Sequence, residues 1–185
     1  MRNWKRKGDR IVTKFDRHEA ALLRELVDQV TRLLNDRAEQ APQDELSELT
    51  GIKTGPPAAP SDPLLARLLP DFHRLDAGDD AEDYTDSAAA LRSVHEPRLI
   101  EAKTGVAAVI LETLPTSGGS VGLDDEQAES WLSALNDIRL ALGTAIGVTE
   151  DLPERLPNDD PRAGQLAVYH WLTWMQESLV NALTS

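Results

Sequence analysis

NWKRKGDRIVTKFDRHEAALLRELVDQVTRLL, residues 3–34, decides the fold, because its apolar spacing changes from two to about 3.6 near Phe15. Before that point, residues 3–7 and 10–15 read as two short strands around Gly8-Asp9. A glycine leading a two-residue loop takes a positive φ without steric penalty, which predicts a type II′ hairpin. If Lys7 pairs with Arg10, strict alternation puts Trp4, Ile11 and Phe15 on one face, with Arg2, Arg6 and Thr13. The other face carries Lys5, Lys7, Arg10 and Lys14 around Val12. The first face can dock on a core, whereas the second must meet water or an anion. After Phe15, Asp16 and Glu19 form a capping-box pattern. Leu22, Leu23, Leu26, Val27, Val30, Leu33 and Leu34 then make one helical stripe, predicted to run to about Arg37.

Outward from this stretch the chain stays helical. Residues 40–63 form a Pro-rich loop region with Pro42, Pro56, Pro57, Pro60 and Pro63, and with a short helix at 44–50. Asp62-Pro63 opens a helix as N-cap and N1. Acidic residues at 76–86 precede a helix in which Pro97 either starts a new segment or kinks a continuous one. Residues 99–114 are apolar nearly all round and predict a central, buried helix ended by Pro115. Residues 116–121, with Gly118-Gly119, read as a plain loop. Asp124 and Gln127 cap a helix lined by Trp131, Leu135, Ile138 and Leu142, with Gly147 as its left-handed stop. Asp160-Pro161 should open the last helix, striped by Val168, Trp171, Leu172, Met175, Leu179 and Leu183. The expected class is mainly α: a single domain over 1–185, built as an irregular bundle of five to six helices behind a short N-terminal β-hairpin at 1–15.

Charge is divided unevenly. Residues 1–17 hold seven basic side chains and two acids, whereas the rest hold twelve basic and thirty acidic ones, so a segment of +5 leads a body of −18. Such asymmetry speaks of partners more than of fold. The overall −13 opposes broad adhesion to nucleic acid or anionic lipid. With no cysteine in the chain, disulfides, thiolate metal sites and thiol redox chemistry are excluded. No apolar run is long enough to span a membrane, and the start lacks a signal-peptide core, so a cytoplasmic location is expected.

Motifs for chemistry are scarce. His18-Glu19 lacks the second histidine of H-E-x-x-H, and His73, His95 and His170 read as structural or surface residues. There is no Walker A, G-x-S-x-G or G-x-G-x-x-G pattern. No catalytic residue, metal site or cofactor is therefore expected, and the chain does not read as an enzyme. LSELTGI at 46–52 resembles half of a helix-turn-helix, but Pro56 and Pro57 occupy the place of its recognition helix. Lys5, Lys7, Arg10 and Lys14 are the candidate contacts for a protein partner or nucleic acid, or else neutralise the acidic body internally. Trp174 is a candidate interface anchor, or else packs in the core with Trp171.

Three blocks carry a family likeness. They are F-D-x-x-E-x-x-L-L-R-x-L from Phe15 to Leu26, R-L-L-P-D from Arg67 to Asp71, and R-L-A-L-G-T-A-I-G-V from Arg139 to Val148, followed by Y-H-W-L-T-W-M-Q-E-S-L-V from Tyr169 to Val180. In this order, over nearly the whole chain, they resemble the actinobacterial AosR family of oxidative-stress transcriptional regulators. The resemblance implies a cytosolic regulator that acts with a sigma factor or polymerase at promoters and is switched by a cysteine pair within one subunit. Having no cysteine, this chain has no residue onto which that switch carries over. The expected function is regulation mainly through protein contacts with transcription machinery, with at most weak DNA contact through the hairpin. The alternative is a structural or adaptor protein that does not touch DNA.

Overall fold

The computed structural model describes residues 2–41, 54–71, 81–157 and 159–185, with residues 81–85 as backbone only. Among these lie strands β1 (Lys5–Lys7), β2 (Arg10–Phe15) and β3 (Gly119–Leu123). The helices are α1 (Arg17–Glu39), α2 (Pro63–Leu68), α3 (Ala81–Thr113), α4 (Asp125–Ile146) and α5 (Ala163–Leu183). The protein is mainly α, with a small antiparallel sheet in the order β1-β2-β3. The expected short helix at 44–50, the half-motif at 46–52, His73 and the acidic residues 76–80 lie outside the described residues. The chain divides into two compact units, Met1–Val30 with Gly105–Ser185, and Thr31–Thr104.

In the first unit the hairpin forms in the expected register, with Lys7 opposite Arg10, Arg6 opposite Ile11 and Lys5 opposite Val12. Gly8 takes φ 64° while Asp9 stays negative, the sign pattern of a II′ turn. Trp4, Ile11 and Phe15 are buried, and the alternate residues Lys5, Lys7, Arg10 and Lys14 are exposed. The rings of Trp4, Phe15 and Trp131 cluster at centroid distances of 5.3–6.1 Å. Each ring buries a large apolar area, and edge-to-face pairs such as Trp4–Trp131 add to that gain. The Trp131 indole donates to Thr113 Oγ1 at 2.8 Å, and the Trp4 amide donates to the buried Ser178 Oγ at 2.9 Å. Arg6 ties the sheet to two helix ends. It donates to the carbonyls of Ala182 and Leu183 at the C-terminus of α5, and pairs with Asp125 in the first turn of α4 at 2.8 Å. A cation at orphaned C-terminal carbonyls and an acid at an N-terminus both suit the helix dipole.

Residues 119–123 correct the expectation of a plain loop at 116–121. β3 pairs with β2 from Phe15 opposite Gly119 to Ile11 opposite Leu123. Val121 and Leu123 point into the core, while Ser120 and Gly122 are exposed. Two glycines and a serine conceal the strand, because they carry little β propensity and only Val121 and Leu123 supply the alternation. Gly118 has φ 77°, and a Cβ there would lie 2.7 Å from the Asp16 carbonyl carbon. The chain thus enters β3 by passing against the cap of α1, an approach only glycine permits.

Both capping boxes form as read. Asp16 Oδ1 accepts from the amides of His18 and Glu19 while Glu19 reaches back to the Asp16 amide. Asp124 and Gln127 do the same for α4. Arg24 of α1 donates to the carbonyls of Leu111 and Leu114 at the end of α3. The last helix starts later than expected, at Ala163. Asp160 caps a preceding turn instead, accepting from the Arg162 amide at 2.8 Å and pairing with its guanidinium at 2.9 Å. This pairing is the main reason its carboxyl is held below the usual carboxylate range. The reading of 99–114 as a helix buried all round is also corrected: Ile100, Ala107, Ile110 and Leu114 are buried, but Gly105 and Ala108 are exposed. Small residues raise the apolar content there while covering little area.

In the second unit, α3 runs unbroken through Pro97. Pro97 has no amide to give to the Ser93 carbonyl four residues back. The Gly55 amide fills that place, donating to Ser93 at 2.7 Å. A Cβ on Gly55 would come within 3.1 Å of the Pro97 ring, so glycine lets the loop reach that carbonyl. Glu96, fully buried, binds two arginines: Arg37 at 2.7 Å and Arg92 at 2.6 Å. Arg37 also donates to the Ala58 carbonyl, and Arg92 to the Leu69 carbonyl and to Asp71 at 2.5 Å. The network pins residues 58–71 to the helical frame. Burial pulls the Arg92 pKa down, but its bonds to Glu96 and Asp71 outweigh this and leave it raised.

Candidate functional site: a cationic strand face

The outer face of the sheet is built by alternation. Lys5, Lys7, Val12 and Lys14 point the same way, because Lys5 pairs with Val12, and Val12 and Lys14 with Gly122 and Ser120 of β3. These residues, with Asn3 and Arg2, line an open concavity of about 740 Å³. Val12, half-buried, forms its apolar floor, and three ammonium groups form its rim. Lys5, Lys7 and Lys14 have no carboxylate partner among the described residues. Arg10 lies on the same face but outside the concavity, and its guanidinium donates to the Gly122 carbonyl at 3.4 Å.

Trp174 is half-buried on α5, beside the buried Trp171. It lines a narrow notch together with Arg2, Lys14, Glu19 and Met175. Lys14 therefore borders both hollows and links Trp174 to the lysine face. Sequence reasoning missed Ser120 and Gly122, a short side chain and none, which leave the concavity open. The alternation of Val121 and Leu123 was the only signal for them.

Among the described residues, no group of three or more histidines and acids is arranged to hold a metal ion. His18, His95 and His170 are exposed, and His170 Nε2 lies 3.1 Å from the Glu154 carbonyl. No helix among the described residues is long and apolar enough to cross a membrane.

A family model described as "Domain of unknown function (DUF2017)" matches residues 1–183. The chain belongs to the DUF2017 family. It is similar to the "Oxidative stress regulator AosR" of Mycobacterium tuberculosis (strain H37Rv), at 47% identity over 99% of this chain and 88% of the relative. The protein of the same name from Mycobacterium bovis matches equally, and the "Putative oxidative stress regulator AosR" of Mycobacterium leprae is 44% identical over the same shares. No solved structure matches the chain. This DUF2017 protein holds no cysteine, so any regulation it carries out uses no thiol of its own.

Proposed function

We propose that this chain is a non-enzymatic, cytoplasmic regulator of the oxidative-stress response that works by holding a protein of the transcription machinery, a sigma factor or polymerase subunit, on its cationic strand face. One observation carries the reading: Lys5, Lys7 and Lys14 stand together around an apolar floor, unpaired among the described residues, in a chain of net −13. Among the described residues none of the chain's many carboxylates neutralises these lysines, which favours an anionic partner surface. Trp174, adjoining Lys14, supplies an aromatic anchor of the kind that dominates interface energetics. The names of the 44–47% identical relatives support the stress-regulator part.

The acidic body favours a protein over DNA as the partner, because about four phosphate contacts give only weak binding that salt removes. The test is co-purification of the intact chain with polymerase and sigma factors, beside promoter binding at physiological salt. Recovery of a transcription protein that is lost when Lys5, Lys7, Arg10 and Lys14 are changed to Glu is the expected result. Unchanged recovery in that variant removes the strand face from the interaction. Recovery of no transcription protein, with no promoter retained, overturns the regulator reading.

A further inference from the structure

Where this chain draws an arginine out of water, it gives the guanidinium strong acceptors. Arg6 has Asp125 and two carbonyls, Arg24 has two carbonyls, and Arg37 and Arg92 share Glu96. Arg139 departs from this pattern. It sits half-buried on α4, with a single bond from one terminal nitrogen to Asn136 Oδ1 at 3.2 Å. Its Nε is buried without an acceptor, as the Arg24 Nε is, but Arg24 has two carbonyls on its terminal nitrogen while Arg139 has one long bond and no carboxylate partner among the described residues. A partly desolvated guanidinium left this way is unfavourable unless something else satisfies it.

Arg139 lies in a groove of about 480 Å³ between α4 and α5. Thr173, Gln176, Glu177, Val180 and Asn181 of α5 complete the lining. Val180 is 40% exposed and offers a small apolar surface beside the guanidinium. We propose that this groove binds a peptide carboxylate on Arg139, with the neighbouring aliphatic side chain of that peptide resting on Val180. The planar fork of a guanidinium matches a carboxylate in two parallel bonds. Gln176 and Asn181 offer amide donors at the side. Glu177 in the same lining opposes any anion, and a doubly charged phosphate more strongly than a single carboxylate. The site involves none of the strand-face lysines and does not depend on the function proposed for them.

The test is an NMR titration of the intact chain with acetyl-Leu-Gly bearing a free C-terminal carboxylate, beside the same dipeptide as its amide. A saturable shift of the Arg139 Nε–Hε and Val180 methyl signals with the acid, and none with the amide, is the expected result. Arg139→Lys should weaken binding about tenfold or more, through loss of the two-bond geometry. Glu177→Gln should tighten it by lifting the competing charge. Equal shifts with acid and amide, or no saturable shift with either, overturn the proposal. So does unchanged acid binding in Arg139→Gln, and so does inorganic phosphate competing as well as the acid. The wild-type titration decides the matter even if a variant proves unstable.

Discussion

Asp16 and Asp124 each hold the first turn of a long helix, and what they bind sets what their loss does. Asp124 Oδ1 takes the Gln127 amide at 2.8 Å, and Gln127 returns a bond to the Asp124 amide at 3.1 Å. Asp124→Ala should destabilise the chain by about 1 kcal/mol, read as a lower urea midpoint with an unchanged slope. The Glu19 amide chiefly holds the Asp16 carboxyl below the usual carboxylate range; burial opposes it, and the His18 amide adds a smaller lowering effect. A depressed folded pKa means that stabilisation is complete above the unfolded carboxylate value of about 3.9 and disappears as pH falls through the lower folded value. Exchange protection of the His18 and Glu19 amides should therefore persist at pH 5 and fade in strong acid. Protection that is unchanged there would show that the cap contributes nothing. Glu96 is a harsher case. Removing it by Glu96→Ala takes the carboxylate from the buried Arg37 and leaves Arg92 to Asp71 and the Leu69 carbonyl, an effect of about 3–5 kcal/mol. The midpoint of urea unfolding measures it, and a shift no larger than that of Asp124→Ala would mean that water reaches the arginines.

At the scale of elements, the ones with a strong local signature were legible in the sequence, and those defined by distant partners were not. The Gly8-Asp9 turn, the two capping boxes and the stripe of α1 each depend on residues within a few positions of one another, so their spacing carries the information. β3 depends on β2, more than a hundred residues earlier, and three of its own five residues are glycine or serine. Pro97 left two readings open, because the amide that replaces its missing donor belongs to Gly55 across a loop. The Arg37–Glu96–Arg92 network was likewise hidden: only the four-residue spacing of Arg92 and Glu96 was visible locally. Half of the candidate site shared this fate. The lysine face follows from alternation along β1 and β2, whereas the open floor beside it needs β3. Gly118→Ala tests that dependence. The added methyl would press on the Asp16 backbone at a positive φ, forcing β3 from its place. The expected outcome is weaker exchange protection along residues 119–123, with α5 protection retained.

For the molecule as a whole, the decisive property is the contrast between a cationic strand face and a chain of net −13. Attraction confined to one face orients an approaching anionic partner, and the remaining surface repels it in other poses. Association should thus be steered. Its rate should fall as added salt shortens the screening length from about 10 Å at 0.1 M towards about 3 Å at 1 M, while dissociation changes little. Oxidants should act differently. With no cysteine present, diamide has no thiol to couple, and Met175, only 2% exposed, is shielded from mild peroxide. The predicted outcome is that affinity for the captured partner, measured by surface plasmon resonance before and after this chain alone is treated with diamide, stays the same, while raising salt lowers the on-rate. If diamide treatment of this chain alone changed the affinity, a group other than a thiol would have to carry the redox response. A salt-independent on-rate would instead remove the lysine face from the encounter and leave apolar contacts such as Trp174 to account for binding.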